Sequence, residues 1–481
     1  MPRPGVDVQQ TSRPAPRGPL NNTATLFIVG KTTSGRVDIA VPVHGIAEFE
    51  QNFGVRRSDS GLWDFLDEHF REGGALAYVG RVVGPAATVA TLTIGLTTGV
   101  QINASGPGPA GSLYSVGVVA GTIAGTIAYQ ITGPNSYIEQ SPDFAATGSN
   151  ADAANWSQQS PTIRIIALGT VTPPVTAAAP LVGGTEDTSN ITEVQYGDML
   201  PLFLRDYGPG QVEFADLTTS AAHALLVAHV GPYNRCTVLQ APSGSTQSAV
   251  QTLVASAQTS AGVDSWRVAM APQWAVIPGL APLQTRLVPY SAVLTGQIAR
   301  TDAAFNVGTP PAGPDRGSSV YAIALDVNYN DVTIAALNTS GVITAKIASG
   351  GVATWGYRSI ANPSTYPQYR EFSGNRATMA IQSDLEAVAL THLFRVIDGR
   401  GHEITDFALD IQSVLLDYWN DDVLFGDTAA DAFSVSAGPT INTPTTIANG
   451  ELHAIVMLHT SPFAEWVQLN IVKVKSQEAV S

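Results

Sequence analysis

Trp355-Gly356-Tyr357-Arg358-Ser359 opens the stretch whose reading decides the fold, and Val467-Gln468-Leu469-Asn470-Ile471-Val472-Lys473-Val474-Lys475 closes it. Between them lie two helix patterns. Ser383-Asp384-Leu385-Glu386 has the form of a capping box, in which the serine oxygen accepts an amide three residues on and the glutamate reaches back. Leu385, Val388, Ala389, Leu393 and Val396 follow on one face, and Gly399 is a stop signal. A helix is therefore expected over 383–398, and a second over 406–420. At about 100° per residue, Asp406, Asp410, Asp417 and Asp421 fall on one stripe, beside a core face of Phe407, Ile411, Val414, Leu415 and Tyr418. No lysine or arginine interrupts the stripe. Like charges four apart repel by a few tenths of a kcal/mol. The stripe reads either as a solvated face or as a docking face for a basic partner.

The stretch ends in strands. Residues 451–459 are mostly apolar, and Val467, Leu469 and Ile471 alternate with Gln468 and Asn470. After Ile471 the phase flips, with Val472 and Val474 apolar. A strand keeps its faces within one sheet unless a bulge interrupts it. The flip marks either a bulge or a passage into a neighbouring subunit's sheet. His402-Glu403 falls in the expected turn between the helices.

Outward from that stretch, the other chain end is also unusual. Residues 1–22 hold five prolines and three arginines, which makes an extended arm and excludes a helix. Val6 and Val8 alternate with polar neighbours as a short strand would. Such a strand has little core of its own and gains most by joining another sheet; the alternative is a disordered tail. No hydrophobic leader and no membrane-spanning run is expected.

Residues 25–30 read as a buried strand, 46–53 and 62–70 as short helices, and 75–83 as another strand, together an α/β unit. Gly30-Lys31-Thr32 mimics the end of a phosphate loop, but Thr25 stands where the pattern needs glycine. Residues 85–180 are rich in Ala, Thr, Gly, Val and Ser, with strand-length pieces at 88–94, 115–119 and 162–168, as in an inserted β-domain. Its Gly106-Pro107-Gly108-Pro109-Ala110-Gly111 reads as a turn, because prolines remove amides a phosphate would need. Helix and strand then alternate: helices over 216–230 and 246–261, strands over 236–240 and 265–271. Residues 300–320 read as a turn-rich link, and 332–337 and 342–347 as strands.

The 481 residues exceed one core of about 100–200 residues, so three or four domains are expected. The net charge of −15 argues against nucleic acid and permits a basic protein partner. Cys236, the single cysteine, sits in an apolar run and reads as an inert buried thiol. His223 and His229 lie six apart, off a shared helix face, and neither motif nor cluster asks for a cofactor, a metal or an enzyme. The fold class read from these patterns is a multidomain α/β and α+β chain. It has a mixed-sheet core from discontinuous segments (23–84 and 181–345), an inserted β-rich domain (85–180), a C-terminal α+β domain (346–465), and arms at 1–22 and 466–481.

Several short matches, in order, carry a resemblance. They are Pro4-Gly5-Val6; Phe53-Gly54; Gly73-Gly74 with Tyr78-Val79-Gly80-Arg81; Leu181-Val182-Gly183-Gly184; Thr295-Gly296-Gln297-Ile298-Ala299-Arg300-Thr301-Asp302; and Trp355-Gly356-Tyr357-Arg358-Ser359. Thr185-Glu186-Asp187 departs from the Asp-Gly often found after the fourth. The chain resembles tail sheath proteins of contractile-tailed bacteriophages, everywhere but in the insertion. The resemblance implies subunits stacked in six-fold rings around a tail tube, capped by tail terminator proteins and triggered by a baseplate. It implies arms that add strands to neighbours' C-terminal sheets, a tube-proximal C-terminal domain and an outer insertion. It also implies a virion tail assembled in the host bacterial cytoplasm, DNA ejected through the tube, and no enzymatic role, direct nucleic acid contact or direct membrane contact. Asp406, Asp410, Asp417 and Asp421 are then the tube-facing candidates. Val6, Val8, Leu469, Ile471, Val472 and Val474 are the strand-exchange candidates. Two rivals remain: a sheath of a phage-like injection system or tailocin, and an adhesive, carbohydrate-binding β-protein, which needs aromatic clusters where only Tyr114, Tyr129, Tyr137, Phe144 and Trp156 are spread.

Overall fold

The computed structural model describes residues 23–95, 98–348 and 350–469. Its centre is a mixed sheet. Strand β1 (Leu26–Lys31) pairs in parallel with β3 (Ala77–Val82) on one side and with β12 (Gln211–Phe214) on the other. β2 (Val41–Val43) runs antiparallel to β3 at the edge. Beyond β12, a bridge from Gln211 to Cys236 leads to β13 (Thr237–Gln240), which pairs in parallel with β14 (Val268–Ala271). Phe27 and Val29 face one core while Leu26 and Ile28 face the other, the period-two alternation of a strand buried on both sides.

Helices α4 (Glu193–Met199), α5 (Ser220–Val230), α6 (Gln247–Ala261) and α9 (Asp331–Thr339) cover the first face. Helices α1 (Ile46–Phe53), α2 (Leu62–Arg71) and α7 (Tyr290–Ala304) cover the second. Gly296 lets α2 and α7 cross closely: a Cβ there would meet the Glu72 Cβ and the His69 carbonyl at 2.5 Å. A further core, packed on the other side of α7, lies under β15 (Trp274–Pro278), β16 (Thr285–Pro289) and β17 (Ala324–Leu325). A hairpin of β18 (Thr344–Ala348) and β19 (Gly351–Trp355) and a single turn, α8 (Gly313–Arg316), complete it.

Two expectations fail here. Residues 332–337 are helix α9, not strand: a short apolar run does not reveal its period, and the Asn330 side chain caps the helix by accepting from the Thr333 amide at 2.9 Å. The link expected from residue 300 begins only after α7. That helix buries Ser291, Thr295, Gln297 and Thr301 among its apolar residues, so no amphipathic stripe betrays it.

Residues 89–180 form a pair of antiparallel sheets separate from the central one. β5 (Val100–Pro107) lies between β4 (Val89–Ile94) and β10 (Ile163–Ala167). The second sheet runs β11 (Thr176–Pro180), β6 (Ser115–Ala120), β7 (Thr126–Gly133), β8 (Tyr137–Gln140), with β9 (Phe144–Ala145) also on β7. α3 (Asn150–Ser157), unanticipated in its polar sequence, packs beside β10. Gly106–Gly111 ends β5 and turns, as expected, with Gly108 at φ 114°.

The last part holds α10 (Phe372–His392), α11 (His402–Asn420), α12 (Ala429–Ala432), α13 (Pro444–Ala448) and a two-stranded sheet of β20 (Phe433–Ser436) and β21 (Ile455–Leu458). Phe407, Ile411, Leu415 and Tyr418 of α11 close a separate core with Ala377, Ala380 and Ile381 of α10. No helix among the described residues is long and apolar enough to cross a membrane.

Candidate docking surfaces

The capping box expected at Ser383 is not a helix start. α10 begins at Phe372 and carries Ser383 in its middle. The Glu386 carboxylate accepts from Arg205 at 2.6 Å and from Gln382 at 3.0 Å instead. Complete burial of Phe372, Arg376 and Met379 recruits a segment, Phe372 to Asn375, whose local propensities are weak. The helix also stops at His392, short of Gly399. Leu390, Leu393, Phe394 and Val396 are exposed around its end.

α11 starts at His402, so His402-Glu403 is its first turn rather than a loop. The stripe keeps its expected position but not a uniform character. Asp406 and Asp417 project into solvent with no side-chain partner among the described residues. Asp410 is tied to His392, whose buried ring lies between Glu403 (Nδ1 to Oε1, 2.6 Å) and Asp410 (Nε2 to Oδ2, 3.0 Å). Arg395 lies 3.8 Å from Glu403. Asp421 is half-buried at the end of α11, where its amide donates to the Asp417 carbonyl and its carbonyl accepts from Asn306. The stripe thus offers two free carboxylates.

The sheet of β20 and β21 has no third strand among the described residues. Val456 and Leu458 point inward over a groove of about 350 Å³, floored by Ile381, Leu385 and Ala389 of α10 and by Phe407 and Ile411 of α11. Ile455 and Met457 point outward. Two-stranded sheets are marginal alone, and a third strand or an apolar cover stabilises them. Of the strand-exchange candidates, Leu469 is exposed and lies in a segment without regular structure over 466–469. Val6, Val8, Ile471, Val472 and Val474 lie outside the described residues.

Several residues of the short motifs make long-range ties. Arg81, fully buried, donates to Glu186 at 2.9 Å and to the Gly35 and Pro107 carbonyls, tying the central sheet to both ends of residues 107–186. Arg300 holds Glu72 at 2.9 Å. Asp302 pairs with Arg376, and Arg358 with Glu465. The partners Glu72, Arg376, Glu465 and His392, and the role of Glu186, escaped sequence reasoning; no local pattern marks them, as with Arg376, which stands between Asn375 and Ala377.

Other candidates separate. His229 stacks on Tyr233 at 4.1 Å and meets Arg235 at 2.8 Å, while His223 is buried elsewhere on α5. Burial holds both rings well below the usual histidine range, at about 3 and about 4. No group of His, Cys, Asp or Glu among the described residues is arranged to hold a metal. Tyr129 and Phe144 are buried in the core of residues 89–180, with Trp156 against Phe144, while Tyr114 and Tyr137 form a separate half-buried pair packed on the same core.

The architecture has counterparts among solved structures. The contracted helical sheath of the anti-feeding prophage shares 16% identity, covers 98% of each chain and superposes with a TM-score of 0.57. The contracted sheath of PVC, an extracellular contractile injection system, gives 13%, 99% of each chain and 0.58. The sheath tail protein from Listeria innocua gives 11%, 92% of this chain and 96% of that one, and 0.60. No family model matches the chain, and no curated protein matches it in sequence. The fold is that of contractile tail sheath proteins, over essentially the full length of the chain.

Proposed function

We propose that this chain is the structural subunit of a contractile sheath, polymerising as stacked six-fold rings around an inner tube and shortening to drive that tube through a cell envelope. The near end-to-end fold match to assembled sheaths carries the reading. The β20–β21 sheet, which has no third strand among the described residues, supports it: an added strand from a neighbour's arm would cover Ile381, Leu385 and Ala389. Main-chain bonds in an added strand hold without side-chain identity, which suits links that persist through large rigid-body motion. The arm candidates are Val6 and Val8 at one end, and Leu469, Ile471, Val472 and Val474 at the other. Asp406 and Asp417, with Asp410 and Asp421 flanking, would face a basic tube. Exposed ion pairs are worth about 0–1 kcal/mol each, so that grip is separable. Tail tube, baseplate and tail terminator proteins are the proposed partners.

The particular machine is proposed as a phage tail that ejects DNA, assembled in the bacterial cytoplasm. The full coverage of the anti-feeding prophage and PVC sheaths favours equally an injection system without a genome. Electron microscopy of the purified protein tests the shared reading. Long hollow cylinders are expected; monodisperse monomers in every condition would overturn it. Deleting residues 1–20 is expected to abolish stable polymers, and intact polymers would remove the arm from the lattice. Capsid and terminase genes beside this one separate the phage tail from the injection system.

A further inference from the structure

Two arginines near the start of α10 hold the two ends of the described chain. Arg376 is fully buried. Its Nη1 donates to Asp302 Oδ1 at 3.1 Å, and its Nη2 donates both to Asp302 Oδ2 and to Thr23 Oγ1, the latter at 3.0 Å. The Thr23 hydroxyl in turn lies 3.2 Å from Asp302 Oδ2. Thr23 is itself buried, and residues 1–22 precede it.

The other end is held from the same place. Arg358 pairs with Glu465 and donates to the Asn338 carbonyl at 3.2 Å. An antiparallel bridge joins Arg358 to Glu371, the residue that caps α10, and the Phe372 amide donates to the Tyr357 carbonyl. Burial and the neighbouring Glu465 push the Glu371 carboxyl up, while Arg358 and Arg370 oppose them. The approach to Glu465 lies on the same helix: a Cβ at Gly374 would come within 2.6 Å of Thr460 Oγ1. Phe463 packs on the core that contains Phe372 and Met379.

We infer that residues 371–376 form a common anchor for both chain ends, so that the two ends leave the body from one rigid element. The consequence rests on the sheath reading. In a lattice linked through chain ends, a pull on either end reaches the same helix, and the subunit turns as one piece. The Asp302 and Arg358 motifs would then serve the linkage without touching a neighbour.

Hydrogen exchange of the full-length protein, read by mass spectrometry, tests the anchor. Thr23→Val is expected to speed exchange over 24–26, and Arg358→Gln over 461–466, each by about tenfold or more. Arg358→Glu should do the same, and Arg358→Glu combined with Glu465→Arg should restore protection. Arg376→Met, with Asp302→Asn as the milder variant, should loosen both segments together. Unchanged exchange in all variants overturns the proposal. So does a response of 24–26 alone to both Arg376→Met and Asp302→Asn, because the ends would then be held separately. Wild-type cylinders are scored apart: their absence, with exchange behaving as expected, counts against the sheath reading and upholds the anchor.

Discussion

Arg81 and Glu186 lie 105 positions apart in the chain and meet at 2.9 Å, joining β3 of the central sheet to the segment that follows β11. Glu186 also accepts from Arg57 at 2.6 Å. Burial pushes the Arg81 guanidinium down to about 10, and the Glu186 charge opposes that fall. Removing one partner strands a buried charge, which typically costs about 3–5 kcal/mol. Arg81→Met and Glu186→Leu are each expected to lose stability on that scale in urea unfolding. The double variant should recover most of the loss.

The acidic stripe of α11 should divide under mutation. Asp406→Lys and Asp417→Lys, at exposed positions, are expected to change stability by no more than about 0.5 kcal/mol. Together they should reduce co-sedimentation with purified tubes. Asp410→Asn removes a charged partner of His392 at an exposed carboxylate and is expected to cost about 0–1 kcal/mol. Undiminished tube binding by the Asp406 and Asp417 variants would remove this face from the contact.

Glu68 gives a pH dependence with a definite sign. It is fully buried on α2, and neither carboxyl oxygen has a hydrogen-bond partner among the described residues. Burial, with Glu72 and Asp67 nearby, raises it from 4.5 to about 8 against the pull of Arg286 and Arg71. The folded state therefore binds a proton the unfolded state has released. Its stability contribution is full below about 4.5, falls as pH rises to about 8, and is flat above. Glu68→Gln removes that dependence. The variant should be similar to the parent near pH 5 and more stable by a few kcal/mol near pH 9. Parallel pH profiles in chemical denaturation would refute the assignment.

Cys236 is fully enclosed, with its sulfur 3.5 Å from the Gly210 carbonyl, and burial pushes the thiol up to about 12. A thiol reagent at neutral pH should react with the native protein only as fast as it opens. Full labelling is expected in denaturant. Immediate stoichiometric labelling of native protein would contradict this burial.

Local order was legible wherever the pattern of apolar residues was itself local. The apolar run at residues 25–30 announced a buried strand, and the structure adds that its side chains alternate between two cores. The helices at Ile46–Phe53 and Leu62–Arg71 were bounded almost to the residue. The core face of α11 came from spacing alone, because Phe407, Ile411, Leu415 and Tyr418 recur at helical intervals. Elements buried on every side were the ones missed or misplaced. α7 carries buried Ser291, Thr295 and Gln297, and the first half of α10 carries buried Ser373, Asn375 and Arg376, so neither shows a polar face.

By itself, the sequence determined the class of each well-patterned segment, the composition break at the insertion and the placement of four aspartates along one helix edge. Only the tertiary structure decided which charges meet. Arg81 found Glu186, Arg376 found Asp302 and Thr23, and His392 withdrew Asp410 from the free stripe. The physical reason is range. Backbone period and capping act over a few residues and are written in consecutive letters. A buried ion pair is selected by what desolvation leaves within reach after the chain has closed on itself, and no local pattern records that.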